Sequence, residues 1–225
     1  MHTSISRSPI CHCVLPAAAL VFATTAAPAQ RVDLKAASTS WTRVNRSASV
    51  IDSGGMHVVR LDEAPGMGLL WTKSVDFADG DIDVDMRGRD VFQRSFIGIA
   101  FRVASDSVFD AVYLRPFNFA AKDSTRHAHA VQYTSYPGYP WERLRAESPG
   151  RYEAAIVPAP GANGWVHLRL ALRGSDLQVY VGNAATPTLH VTTLGGRTHG
   201  GIGLWVGESS PGDFANLTLH PRQAR

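Results

Sequence analysis

Polar and apolar positions alternate most cleanly between Gly80 and Met86. Ile82, Val84 and Met86 fall on one face, and Asp81, Asp83 and Asp85 on the other. A period of two with one apolar face marks a half-buried antiparallel strand. Ala48 to Asp52 and Met56 to Leu61 flank Ser53-Gly54-Gly55, which reads as a hairpin around a glycine turn. Phe96 to Arg102 and Phe109 to Arg115 read as core strands. His129 to Ser135, Trp165 to Leu172, Leu177 to Val181, Thr188 to Thr192, Gly201 to Val206 and Phe214 to Leu219 continue the series. Gly174-Ser175-Asp176 supplies a tight turn between two of them. No stretch of about 12 residues holds a helical period with caps. About a dozen short strands with regular turns predict an all-β sandwich or barrel rather than a parallel α/β sheet.

One segment breaks the rhythm. Residues 116–164 hold Pro116, Pro137, Pro140, Pro149, Pro158 and Pro160 and are dense in aromatic and charged side chains. A long irregular segment inside a single domain is usually functional. It contains Asn118, His127, His129, Gln132, Tyr133, Trp141, Glu142, Arg145 and Glu153, and the strand before it ends in Tyr113-Leu114-Arg115. On that strand Val112 and Leu114 share one face, and Tyr113 and Arg115 the other.

The start of the chain has a different character. One positive charge, Arg7, precedes an apolar run from Val14 to Ala23 and the small residues Ala27-Pro28-Ala29. That order predicts a secretory signal peptide over residues 1–29, cleaved after Ala29, and one β-sandwich domain over residues 30–225. The apolar run is roughly half of the ~20 residues a spanning helix needs, and no second run reaches that length, so no transmembrane segment is expected. Both cysteines, Cys11 and Cys13, lie in the expected signal, which leaves an exported domain without thiols or disulfides. The formal net charge of +3 comes without any cluster of five or six Lys and Arg, which argues against a nucleic-acid partner.

Three pieces together resemble one superfamily. Phe77-Ala78-Asp79-Gly80-Asp81-Ile82-Asp83-Val84-Asp85, Gly200-Gly201-Ile202-Gly203-Leu204-Trp205-Val206 and Asp213-Phe214-Ala215-Asn216-Leu217 resemble strands of the concanavalin A-like lectin/glucanase sandwiches. Within them the sequence is most similar to the laminin-G-like branch near the secreted bacterial 3-keto-disaccharide hydrolase-like domains. The resemblance implies an antiparallel two-sheet jelly roll with a curved face that often holds glycans. It transfers no mechanism, because sandwiches of this type include lectins, hydrolases, lyases and inert modules.

A glycan site needs flat aromatic faces for the C–H surfaces of sugar rings and planar polar groups for hydroxyl pairs. Tyr113, Arg115, Asn118, Gln132, Tyr133, Trp141 and Arg145 supply both. Arg115 and Arg145 would grip acidic or hydroxyl groups, as in a uronic acid. Trp141 and Tyr133 would stack on sugar rings. A secreted domain that binds a glycan or glycoconjugate is the leading expectation. The first alternative is a glycoside hydrolase or lyase with Glu142, Glu153 and His129 as acid and base, although the laminarinase-type Glu-x-Asp-x-x-Glu strand is absent. The second is a structural or protein-interaction module whose 116–164 segment simply packs on the sandwich.

Other chemistries fit less well. Asp79, Asp81, Asp83 and Asp85 lack the glycine an EF-hand loop needs at its sixth position, where Val84 stands. Structural ion pairing is expected instead, with Asp83 and Asp85 on the polar face of the strand near Arg87, Arg89, Arg94 or Arg102. A structural calcium in the loops stays open, and no other cofactor is expected. His127-Ala128-His129 has a zinc-like spacing without a third ligand. Gly207-Glu208-Ser209-Ser210-Pro211 is no nucleophile elbow, and no glycine-rich loop opens a helix to cradle a phosphate.

Overall fold

The structure, a computed structural model, describes residue 2 and residues 28–53 and 55–222. The expected signal peptide falls almost wholly outside the described residues. In chain order the strands are β1 (Gln30–Arg31), β2 (Thr42–Val44), β3 (Ala48–Ser53), β4 (Met56–Leu61), β5 (Gly68–Phe77), β6 (Gly80–Arg87), β7 (Ile97–Ser105), β8 (Val108–Leu114), β9 (Val131–Tyr136), β10 (Glu153–Ala154), β11 (Val166–Arg173), β12 (Asp176–Val181), β13 (Leu189–Thr192), β14 (Gly200–Val206) and β15 (Gly212–Pro221). Between them lie the short helices α1 (Leu34–Ser40), α2 (Ser124–Ala128) and α3 (Trp141–Glu147) and a 3₁₀ turn, Pro116–Asn118.

All pairings are antiparallel, and they build two sheets. The first has the order β13-β12-β11-β6-β15-β4-β3, with β1 added on β15; the second has the order β10-β9-β8-β7-β14-β5-β2. This is the all-β, two-sheet sandwich that the strand pattern predicts. The inner faces meet in one core. Ile82, Val84 and Met86 of β6 and Leu168, Leu170 and Leu172 of β11 pack there with Ile97, Ile99, Val112, Leu114, Ile202 and Leu204 of the second sheet, all without solvent exposure.

The second sheet is buried on its outer face as well. Leu69, Trp71, Ala100, Phe109, Ala111, Tyr113 and Trp205 form a second cluster there. Strands buried on both faces lose the polar half of the alternation. That is why β5, with Leu69, Leu70 and Trp71 all buried, carries no period-two signal. Gly98 stands in register with Tyr113, and a Cβ at Gly98 would lie 2.2 Å from the Val112 carbonyl oxygen and 2.6 Å from the Tyr113 Cβ. The glycine therefore lets Tyr113 lie close against the sheet.

Two expectations are corrected. Segment 116–164 is not one irregular loop: it is the 3₁₀ turn, α2, the fully paired strand β9, α3 and β10. β9 begins at Val131 rather than at His129, because His129 caps the C-terminus of α2. The helices span only 5 to 7 residues, too few turns for a helical period to show in sequence. Secondly, the aspartates of β6 are paired, but by the neighbouring strands. Arg173 donates to Asp81 at 2.7 Å, His167 meets Asp83 at 3.0 Å and Asp85 at 2.8 Å, and His220 meets Asp83 at 3.2 Å. Among the named arginines, only Arg102 approaches one of the four, Asp79, at 3.8 Å. Among the described residues no group of three or more His, Cys, Asp or Glu side chains could hold a metal ion, and no helix is long and apolar enough to cross a membrane.

Candidate functional site

The site grows from the end of β8. Alternation sends Leu114 into the core and Tyr113 outward, and Arg115 follows on the outer side. Pro116 has no N–H for the ladder, so the strand stops and the chain turns into the 3₁₀ turn with proline at its start. Arg115 is only 5% exposed. Its guanidinium lies 4.8 Å from the Tyr113 ring centre and 5.8 Å from that of Phe96. Nη1 donates to the His129 carbonyl at 2.9 Å, and Nη2 donates to the Tyr113 hydroxyl at 2.8 Å and to Gln132 Oε1 at 3.2 Å. Burial pushes the Arg115 pKa below its usual value, with Tyr113 and Glu153 opposing the shift.

Gln132 sits opposite Tyr113 on β9, and its Nε2 donates to the Tyr133 and Tyr152 carbonyls, which fixes Oε1 toward Arg115. Asn118 bridges the turn to α2: its Nδ2 donates to the His129 carbonyl at 3.3 Å, and its Oδ1 accepts from Arg126 Nε at 3.3 Å. Arg126 also donates to the Phe117 carbonyl and lies 4.4 Å from the Phe92 ring centre.

On α3, Leu144 is buried as the anchor, and the helical repeat brings Trp141 and Arg145 together, with the guanidinium 4.7 Å from the indole centre. Arg145 grips both oxygens of Glu153, at 3.2 and 2.7 Å, and His129 Nε2 reaches Glu153 Oε1 at 3.1 Å. The Glu153 side chain is 3% exposed. Burial pushes the His129 imidazole below its usual range, and the Glu153 carboxylate partly offsets this.

These side chains enclose a cleft of about 460 Å³ at one end of the second sheet. Arg115, Asn118, Arg126, His129 and Arg145 line it, with Arg115 the most buried of these cations. Phe92, Phe96 and Phe117 form an aromatic wall packed edge to face, with ring centres 5.6 and 5.3 Å apart. Trp141, Glu142 and Glu208 belong to the lining too and are exposed to solvent. Phe92, 55% exposed, and Trp141, 36% exposed, offer ring surface to solvent. Clefts of about 520 and 550 Å³ elsewhere have no Phe, Tyr or Trp in their lining.

Six of the expected residues thus line one cleft: Arg115, Asn118, His129, Trp141, Glu142 and Arg145. Tyr113 and Gln132 lie beneath Arg115, and Glu153 is not in the lining. Tyr133 is elsewhere. It pairs with Val112 and faces the sandwich interior, where its hydroxyl donates to Asp110 at 2.8 Å and accepts from Leu194 N–H at 2.8 Å. Neighbours on a strand point to opposite faces, so Gln132 and Tyr133 cannot share a site, and no sugar reaches the Tyr133 ring. The acid–base pair is not assembled either: Glu142 is exposed in the lining, whereas Glu153 is outside it with both oxygens held by cations. Phe92, Phe96, Phe117, Arg126 and Glu208 join the site without having been singled out in sequence. Phe92 and Phe96 come from the β6–β7 connection and Glu208 from the turn after β14, where no local period marks them.

No protein-family model matches the sequence, and no curated protein does. Solved structures do resemble the fold. A carbohydrate-binding module, CBM66 from Bacillus subtilis, superposes with a TM-score of 0.56 at 17% identity over 80% of this chain and 96% of that one. A Bacillus subtilis protein of unknown function with a galectin-like fold gives 0.58 at 13% identity over 90% and 100%. The calcium-bound exoplasmic/lumenal domain of VIP36 gives 0.55 at 14% identity over 82% and 84%. The chain has the galectin-like jelly-roll fold, the architecture implied by its resemblance to the concanavalin A-like sandwiches.

Proposed function

We propose that the protein is a secreted, periplasmic or extracellular, carbohydrate-binding β-sandwich whose cleft at Arg115 and Trp141 holds a glycan or glycoconjugate. One observation carries this reading: two exposed aromatic rings, Phe92 and Trp141, flank a buried guanidinium and a set of planar polar groups in a single cleft. Aromatic faces cover the C–H side of a sugar ring, while Arg, Asn and Glu groups meet its hydroxyls in pairs. The fold's likeness to a carbohydrate-binding module and to a lumenal domain also solved with Man3GlcNAc supports the same reading.

Binding without turnover is favoured over hydrolysis because Glu153, the better buried carboxylate, is held by Arg145 and His129 rather than facing a substrate. The test is a glycan-array screen of the protein, followed by assay of every bound glycan for reducing-end release. Binding without release supports the proposal. Release that disappears in Glu142→Gln would replace it with glycoside hydrolysis. Absence of any binding would leave the segment 116–164 as structural packing.

A further inference from the structure

The carboxylate partners of the arginines point to the chemistry of the ligand. Arg60 and Arg87 share Asp213, Arg89 and Arg94 share Glu63, Arg143 pairs with Glu147, Arg145 with Glu153, Arg173 with Asp81 and Arg197 with Asp110. Arg31, Arg43 and Arg46 outside the cleft, and Arg115 and Arg126 inside it, end instead on neutral acceptors. Every hydrogen bond that Arg115 makes among the described residues ends on a neutral acceptor, the His129 carbonyl, the Tyr113 hydroxyl or Gln132 Oε1. Arg126 ends on Asn118 Oδ1 and the Phe117 carbonyl. A buried cation without a directly hydrogen-bonded anion is costly, and Glu153, whose charge acts on Arg115, is already gripped by Arg145. Arg115 is nonetheless kept in the lining of an open cleft.

Arg46 shows how this chain treats a purely structural guanidinium. It is also buried, but it ties together three backbone carbonyls, those of Asn45, Gly66 and Gly207, and does not line the cleft. Arg115 uses two side-chain acceptors, both on Nη2, which hold its plane at a fixed angle and leave Nε–H and one Nη1–H outside its internal hydrogen bonds. Both parallel-bond forks of a guanidinium use an Nη2–H, so a carboxylate meets Arg115 through a single charge-assisted hydrogen bond.

On the reading of the cleft as a glycan site, we infer that its ligand is an acidic sugar, a hexuronate residue whose carboxylate pairs with Arg115 while Arg126 adds a second positive charge. The two exposed carboxylates of the lining narrow the class further. Glu208 is engaged by the Gly66 N–H and the Ser209 hydroxyl, and Glu142 is open to solvent. Both repel a densely sulfated chain, whereas Glu142 is placed to accept hydroxyl protons. One carboxylate per sugar, with free hydroxyls beside it, suits this mixture of charges.

The experiment titrates the full chain by calorimetry with oligomers of galacturonate, glucuronate and mannuronate. Each is matched to the same oligomer with its carboxyl groups reduced to primary alcohols. At least one acidic oligomer is expected to bind, with its reduced partner weaker by about tenfold or more, and the acidic affinity is expected to fall with added salt. Arg126→Gln is expected to weaken the acidic ligand severalfold with an unchanged melting temperature, and Arg115→Lys is expected to weaken it further. Equal binding of acidic and reduced oligomers, or binding of neutral array glycans alone, overturns the acidic-sugar inference and leaves the glycan reading standing. Full acidic affinity in a folded Arg126→Gln and a folded Arg115→Lys also overturns it. Failure of every acidic and neutral glycan overturns both.

Discussion

Replacing Glu153 by Gln removes one charge and almost no volume from the side chain that holds Arg145 and His129 of the cleft lining. The carboxylate has a side-chain exposure of 3%, accepts two N–H groups of Arg145 and lies 3.1 Å from the His129 Nε2. An amide keeps one acceptor oxygen but turns an NH₂ toward donors. A hydrogen bond to a charged group contributes about 1.5–3 kcal/mol, and breaking a buried pair costs about 3–5 kcal/mol. Arg145 is 31% exposed and His129 19%, so both rehydrate in part and the lower end applies. The expected loss is about 2 kcal/mol, which for a domain of this size is a drop of roughly 4–8 °C in melting temperature. Thermal unfolding followed by circular dichroism measures it directly. The His129 imidazole should also titrate lower in the variant, since Glu153 is the charge that raises it. A melting temperature unchanged within about 1 °C, together with lost binding or turnover, would refute the structural role and give Glu153 direct contact with the ligand.

Three further outcomes follow from the same geometry. Trp141→Ala should weaken the bound glycan by about tenfold with little change in melting temperature, because the indole is 36% exposed and the helix is anchored elsewhere, by Leu144 and the Arg145–Glu153 pair; titration and a thermal melt check both halves. Gly98→Ala should cost about 1–3 kcal/mol by overpacking, since the new Cβ would lie 2.2 Å from the Val112 carbonyl oxygen, and a melt at wild-type temperature would contradict it. The hydrogen bond to Asp83, helped by Asp85, raises the His167 pKa against the opposing effect of burial. A folded-state pKa above the unfolded value of about 6.5 means that this stabilisation is full below that pH and fades as pH rises through the folded value. His167→Gln should therefore cost more at pH 5.5 than at pH 8.5, and an equal cost at both would contradict the assignment.

The fold was readable where one face of a strand meets water. The alternating Asp and Ile/Val/Met residues of β6 announce both faces at once, and Gly174 and Ser175 mark the β11–β12 turn through the left-handed backbone at Gly174. β5 was silent because Leu70 faces the core while Leu69 and Trp71 face a second buried cluster. In the candidate site, composition pointed to a segment that supplies much of the cleft lining, and the parity of β8 put Tyr113 and Arg115 on the outer face, where the structure has them. The parity of β9 separates Gln132 from Tyr133 in the same way, once the strand's first residue is known, and the C-cap at His129 sets that residue. Phe92, Phe96 and Glu208 reach the cleft from connections distant in sequence. Sheet order brings them in, and no local pattern encodes it. Glu142 and Glu153 show the reverse: of two carboxylates close in sequence, Glu142 lines the cleft, whereas Glu153 on β10 is outside the lining and held by Arg145.

The claim that this cleft is the glycan site is tested most directly by ¹⁵N NMR titration with a glycan selected from the array. The indole N–H of Trp141 and the guanidinium Nε–H signals of Arg115 and Arg126 should shift together and saturably, while the indole of Trp71, tied to Asp106 at 2.7 Å, stays still. Shifts confined to other indoles or to the opposite sheet, with Trp141 unmoved at saturation, would contradict the account.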